Sequence, residues 1–207
     1  MFKKISTAIA LILVSQNIIA ADPQFLKLKV VKMAVSTSPL CTGLVTVIDN
    51  SNSTTLDYTN FLDNPNLGSG KLDDGTYPCI AIQFYDKIKF SSDTTTGSCT
   101  SGTEVSMGVC QAANTSKMID GTTTTCTTGE DLVTMYLSTA STSTTGSDAF
   151  NPPTSLSDAA RGLKLTTALT VSGGAVAKFI VNGTGQIDGS GGSCDMQPPV
   201  FSFSQTQ

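Results

Sequence analysis

The stretch Tyr77-Pro78-Cys79-Ile80-Ala81-Ile82-Gln83-Phe84-Tyr85-Asp86-Lys87-Ile88-Lys89-Phe90 decides the fold class. Ile80, Ile82, Phe84, Ile88 and Phe90 fall on one parity, interrupted only by Asp86. Successive side chains of a strand point to opposite faces, so this period of two predicts a long strand with one face in a core. Asp73-Asp74-Gly75 supplies a turn ahead of it. Pro78 has no amide N–H to donate and marks a strand start or an edge.

The same periodicity recurs on both sides of this stretch. Leu26, Leu28 and Val30 alternate with Lys27 and Lys29, after which the apolar parity moves to Val31, Met33 and Val35, as a β-bulge produces. Leu44 to Ile48 is a further apolar run. Val133, Met135 and Leu137 share a face, and Val200, Phe201 and Phe203 make a last short strand. Leu163 to Val171 and Ala175 to Val181, joined through Ser172-Gly173-Gly174, read as a hairpin. Ser157 to Arg161 reads as one helical turn, with Ser157 as N-cap and Gly162 just past its end. Residues 91 to about 130 are dominated by Ser, Thr and Gly and carry three cysteines. So polar a stretch cannot hold itself in place by burial and reads as a surface insertion tied down by disulfides. These signals predict an all-β chain, a single antiparallel Greek-key-type β-sandwich over 22–207 with that insertion.

Lys3 and Lys4, the apolar run Ile5–Val14 and the small residues Ala20-Ala21 have the layout of a secretory signal over residues 1–21. The run is shorter than the stretch of about 20 apolar residues a membrane helix needs, which argues against an anchor. No later stretch is apolar enough to span a membrane either. Export predicts a periplasmic, cell-surface or extracellular destination, and the Met-Phe-Lys-Lys opening looks bacterial. Removing Lys3 and Lys4 takes the formal net charge from −4 to −6, and Arg161 is the only arginine. With so little basic surface, nucleic acid is not an expected partner. Cys41, Cys79, Cys99, Cys110, Cys126 and Cys194 read as three disulfides of unassigned pairing. Zinc is the competing explanation, and it fails because the chain has no histidine and no closely spaced cysteine pair.

Asp49-Asn50-Ser51-Asn52-Ser53, following an apolar run, resembles the metal-ion-dependent adhesion site of von Willebrand factor A domains. In that site the Asp and both hydroxyls ligate a divalent cation. No amphipathic helix follows here, and Asp, Asn and Ser are what a β-turn prefers, so the turn reading stands ahead of a cation on Asp49, Ser51 and Ser53. Gly68-Ser69-Gly70-Lys71 echoes a phosphate loop but lacks its leading Gly and its trailing Ser or Thr. Asp73, Asp74, Asp86, Asp120, Asp131 and Asp188 have no spacing that pairs two as general acid and base. Without histidine the common Ser and Cys triads are out, and no Ser-x-x-Lys follows the leader. The expectation is a chain with no enzymatic activity, metal or cofactor.

Two segments, Leu72-Asp73-Asp74-Gly75-Thr76-Tyr77-Pro78-Cys79-Ile80-Ala81-Ile82 and Gly162 through Gly173-Gly174 to Val181, carry a likeness. They resemble the turn-and-strand and strand–Gly turn–strand elements of an uncharacterised family of bacterial transthyretin-like surface β-sandwich domains. The resemblance implies a sandwich fold and no site residues, and the six cysteines and the long insertion depart from it.

The expected function is an exported bacterial surface or extracellular structural or adhesive protein, self-assembling filament subunits included. Residues 22–35 and 199–205 are its candidate exchangeable edge strands. The alternative is a secreted carbohydrate- or small-ligand-binding module, with Tyr58, Tyr77, Tyr85 and Tyr136 as the available stacking rings.

Overall fold

The computed structural model describes residues 20–62, 71–146, 148–173 and 176–206. The signal read over 1–21 lies almost wholly outside the described residues, as do Gly68, Ser69, Gly70 and Gly174. Among the described residues the chain forms strands and no helix. In chain order they are β1 (Pro23–Ser36), β2 (Val45–Asp49), β3 (Thr59–Asn60), β4 (Gly75–Tyr77), β5 (Cys79–Ser92), β6 (Val105–Gly108), β7 (Thr115–Lys117) and β8 (Thr123–Thr125). There follow β9 (Leu132–Ser138), β10 (Leu163–Lys164), β11 (Leu169–Val171), β12 (Val176–Asn182), β13 (Ile187–Asp188), β14 (Asp195–Met196) and β15 (Val200–Thr206).

The main sheet runs β10-β9-β5-β1-β2, with β3 added to β1 and β6 added to β5; among the described residues four two-stranded pairs accompany it, and no sheet closes as a barrel. Its pairings are antiparallel except β9 with β10, which run parallel for two residues. β5 is the spine, flanked by β1 along most of its length and by β9 and β6 on the other side. The parity read from the sequence holds. Ile80, Ile82, Phe84, Ile88 and Phe90 are all buried in one cluster with Leu26, Leu28, Val30, Val133, Met135 and Leu137. Full burial of a side chain such as Phe84 contributes about 1.5–3 kcal/mol, so this face alone supplies much of the drive to fold. The bulge lies where the parity shift predicts it. The register of β1 against β5 slips between Val30 and Lys32, and Val30 and Val31 are both buried.

A second layer covers this inner face. β12 and β15 form a ribbon whose Phe179 lies 5.9 Å from Phe201 and 5.1 Å from Phe203, and meets Phe61 edge-on at 6.3 Å. On the opposite face, Ala34, Ala81, Cys79 and Tyr136 form a small cluster with Cys41. Small residues there let the segment after β1 lie close, and the Cys41–Cys79 disulfide ties it down. Tyr136 is buried with its Oη donating to the Lys117 carbonyl at 2.9 Å; desolvation, with Asp120 nearby, pushes its pKa up to about 12.

Four sequence expectations need correction. Residues 22–35 are no edge: β1 sits between β5 on one side and β2 and β3 on the other. The predicted hairpin does not form, because β11 pairs with β4 and β12 pairs with β15. A Gly turn signals a reversal but not which strands lie beside one another. No helical turn forms at 157–161. Instead the Asp158 carboxylate accepts the N–H groups of Thr154, Ala160 and Arg161 at 2.9–3.0 Å, a side-chain alternative to helical hydrogen bonds. Residues 91–92 belong to β5, and β6 joins the main sheet, so the Ser/Thr-rich stretch is partly sheet and not wholly a surface insertion.

All six cysteines are paired, as Cys41–Cys79, Cys99–Cys194 and Cys110–Cys126. Three disulfides within one chain point to folding in an oxidising, extracellular or periplasmic environment.

Candidate functional site

Alternation puts Lys27 and Lys29 of β1, and Tyr85, Lys87 and Lys89 of β5, on the outer face of the main sheet, opposite the core residues between them. Register then sets them side by side: Lys27 lies opposite Lys89, and Lys29 opposite Tyr85. Tyr58, just before β3, reaches over this face, its Oη donating to the Lys87 carbonyl at 3.4 Å. The Tyr58 ring lies between two ammonium groups, with Lys29 Nζ 4.9 Å and Lys89 Nζ 4.8 Å from its centroid. Lys29 Nζ is also 5.9 Å from the Tyr85 ring, and Lys27 Nζ sits 4.0 Å over Phe25. These are cation–π distances, each contributing about 0.5–1 kcal/mol at exposed sites.

Two carboxylates border the face. Glu104 bridges Lys89 at 2.7 Å and Lys27 at 3.4 Å, and Glu130 pairs with Lys29 at 3.1 Å. The hydrogen bond from Lys89 is the main reason the Glu104 carboxyl titrates below its ordinary value, and the same bond raises Lys89. Among the described residues Lys87 has no ion-pair partner. Four ammonium groups thus meet two carboxylates on one patch of an otherwise acidic chain. The rings hold the lysine heads in place, which lowers the entropy lost when a ligand engages them.

The other residues singled out in the sequence take structural roles. Asp49 Oδ1 accepts both the N–H (2.9 Å) and the hydroxyl (2.5 Å) of Ser51, while Oδ2 pairs with Lys32 at 3.0 Å. Those contacts, the Ser51 hydroxyl foremost, hold its pKa at about 2. Ser53 donates elsewhere, to the Thr55 carbonyl, so Asp49, Ser51 and Ser53 form a closed turn rather than a convergent ligand set. Asp74, Asp120, Asp131 and Asp188 likewise accept hydrogen bonds from nearby N–H or hydroxyl groups, and the Asp73 carbonyl accepts from Tyr77 Oη. Asp86 is buried and accepts the Asp131 N–H at 2.8 Å; burial, above all, raises its pKa. Among the described residues no group of three or more His, Cys, Asp or Glu side chains comes together. Of the four tyrosines, Tyr77 and Tyr136 are buried, and Tyr58 and Tyr85 flank Lys29.

Sequence reasoning did not single out the lysines. Their alternation with core residues marks them as outward-facing, but only the pairing of β1 with β5 brings them together. No protein-family model matches the chain, no curated protein matches it, and no solved structure matches it.

Proposed function

We propose that this chain is an exported, non-catalytic adhesive domain that binds anionic carbohydrate through the lysine–tyrosine face. The observation that carries the reading is the placement of Tyr58 between Lys29 and Lys89, with Tyr85 and Lys87 beside them. The mature chain's net negative charge would repel a polyanion at long range. Screening over about 8 Å at physiological salt leaves the local patch to decide the contact. Two-layer packing of the main sheet against the β12–β15 ribbon is what supports a sandwich as its architecture. The three disulfides suit a domain held outside the cell.

The test is retention of the purified, disulfide-intact protein on immobilised polygalacturonate, with neutral dextran as control. Retention on the uronate polymer alone is expected, falling as salt rises, with the double change Lys29→Ala and Lys89→Ala weakening it about tenfold. Equal retention on dextran, or a double variant that binds as well as the parent, would refute the proposal.

A further inference from the structure

Behind the main sheet, the two layers do not fill the space between them. A cavity of about 620 Å³ remains, walled by Leu26, Phe84, Ile88, Met135, Phe150 and Phe201. That volume lies inside the range of about 300–1,000 Å³ in which small ligands are held. Six large apolar side chains facing unfilled space forgo contacts that a bound apolar molecule restores. The acidic group on its wall, Asp195, already accepts a hydrogen bond from the Ser193 hydroxyl at 2.5 Å.

A second cleft of about 320 Å³ abuts the first, sharing Leu163, Pro198 and Pro199 as a common rim. It is lined as much by apolar as by polar groups, Val200 among them, and it adds a cation. Ser143, Lys164, Thr166 and Gln186 line it, and among the described residues Lys164 is the one cation on either wall. Among the described residues, the Ser143 hydroxyl is a buried polar atom with no hydrogen-bond partner, on a residue only 4% exposed. An unpaired buried hydroxyl costs stability, about 1–3 kcal/mol, unless something arrives to accept its proton. β10 supplies both halves of the junction: Leu163 belongs to the shared rim and Lys164 to the second cleft. The Lys164 N–H donates to the Ser143 carbonyl at 2.9 Å, which holds the two residues next to each other.

A large cavity walled by six bulky apolar side chains, joined to a cleft that carries one ammonium group and one unsatisfied hydroxyl, suits an amphiphile with an anionic, acceptor-only head. We propose that the protein binds a free long-chain carboxylic acid, its hydrocarbon tail in the larger cavity. The carboxylate lies over the rim, accepting from Lys164 Nζ and, once the Ser143 side chain turns out of its buried rotamer, from Ser143 Oγ. This site is on the inner side of the sheet and is independent of the lysine–tyrosine face. Carbohydrate could fail to bind while the acid still does.

The experiment titrates delipidated, disulfide-intact protein with hexadecanoic acid and with hexadecanol by isothermal calorimetry. Saturable binding of one acid per chain is expected, with the alcohol weaker. Lys164→Ala, at an exposed position, is expected to weaken the acid about tenfold and to leave the alcohol unchanged. Ser143→Ala is expected to weaken the acid about fivefold without lowering the melting temperature of ligand-free protein, since the hydroxyl has no partner there to lose. Absence of saturable binding, equal affinity for acid and alcohol, or a Lys164→Ala variant with unchanged preference would each overturn the proposal. So would a ligand-free Ser143→Ala protein that melts lower, because that hydroxyl would then already be bonded.

Discussion

Removing the disulfides one pair at a time should rank them by loop length. Cross-linking two residues restricts the unfolded chain, and the entropy removed grows with the logarithm of the loop closed. The bridges span 95 residues (Cys99–Cys194), 38 (Cys41–Cys79) and 16 (Cys110–Cys126). The chain-entropy relation gives about 4.7, 3.9 and 3.1 kcal/mol respectively at 25 °C. Cys110–Cys126 lies inside the long loop and shortens its effective length, which changes the first figure by only about 0.2 kcal/mol. Cys99, Cys110 and Cys126 are buried and Cys194 is half-buried, so replacing either pair by Ala leaves only small voids in the folded state. The folded junction at Cys99 has contacts besides its bridge: the Ser98 N–H donates to the Gly189 carbonyl at 2.9 Å, and Ile187 pairs with Ala21. What separates the variants is therefore the unfolded chain. Guanidinium denaturation of the two double Cys→Ala variants should place the 99/194 variant about 1.6 kcal/mol below the 110/126 variant. For a chain of this size that is a gap of about 3–6 °C in melting temperature. If loss of the short bridge costs as much as loss of the long one, unfolded-state entropy is not what these disulfides contribute.

Asp158 and Asp86 should respond to acid with opposite signs. Backbone hydrogen bonds, that from Thr154 first, hold the Asp158 pKa at about 2, below the ordinary carboxylate value; its contribution is therefore present above about pH 4 and lost as pH falls toward 2. Urea titrations should show Asp158→Ala costing about 1–3 kcal/mol at pH 7 and markedly less at pH 2. Asp86, raised by burial, disfavours the fold as it ionises, so its contribution is largest below pH 3.8 and declines as pH rises through its folded pKa; Asp86→Asn should flatten that limb of the stability profile. Gly189→Ala should lower the melting temperature sharply, because its Cβ would sit 2.0 Å from the Thr96 carbonyl oxygen and 2.9 Å from the Ser98 nitrogen. The matching change at Gly191, where a Cβ meets nothing within 4 Å, should stay within about 0.5 kcal/mol.

How far the fold was legible follows from what a period-two pattern reports. It reports which face of a strand is buried, so the core parity of β5, the bulge in β1 and the shared face of β9 could all be read directly. It says nothing of neighbours. Residues 22–35 have the alternation of an edge strand with one wet face, yet β1 is wet on one face and paired along both edges. Ser172-Gly173-Gly174 has the composition of a hairpin turn, yet the strands it separates find partners about 90 and 25 residues away through burial that no local pattern encodes. Composition misled within 91–130 because Ser116 and Met118 are buried amid polar neighbours there, and only tertiary contact shows it. The cysteines were legible as a set and not as pairs, for the same reason. At the site, each lysine and tyrosine could be assigned to solvent from its parity, but their convergence depends on the Lys27–Lys89 and Lys29–Tyr85 register.

That register also sets a physical problem for the sheet. Lys27 and Lys89 stand directly opposite each other across β1 and β5, an arrangement that costs stability when like charges face across strands. A sheet selected for stability alone would place a carboxylate at one of the two positions. Here the repulsion is offset from outside the pair: Glu104 reaches both ammonium groups, and the Tyr58 ring lies beside Lys89 and Lys29. Surface ion pairs of this kind contribute about 0–1 kcal/mol each, so they moderate the strain without making the lysines a stabilising device. Local conflicts that the rest of a fold must absorb concentrate where a molecule does its work. On this sheet the conflict falls on the outer face, where an anion bridging Lys27 and Lys89 as Glu104 does would relieve it.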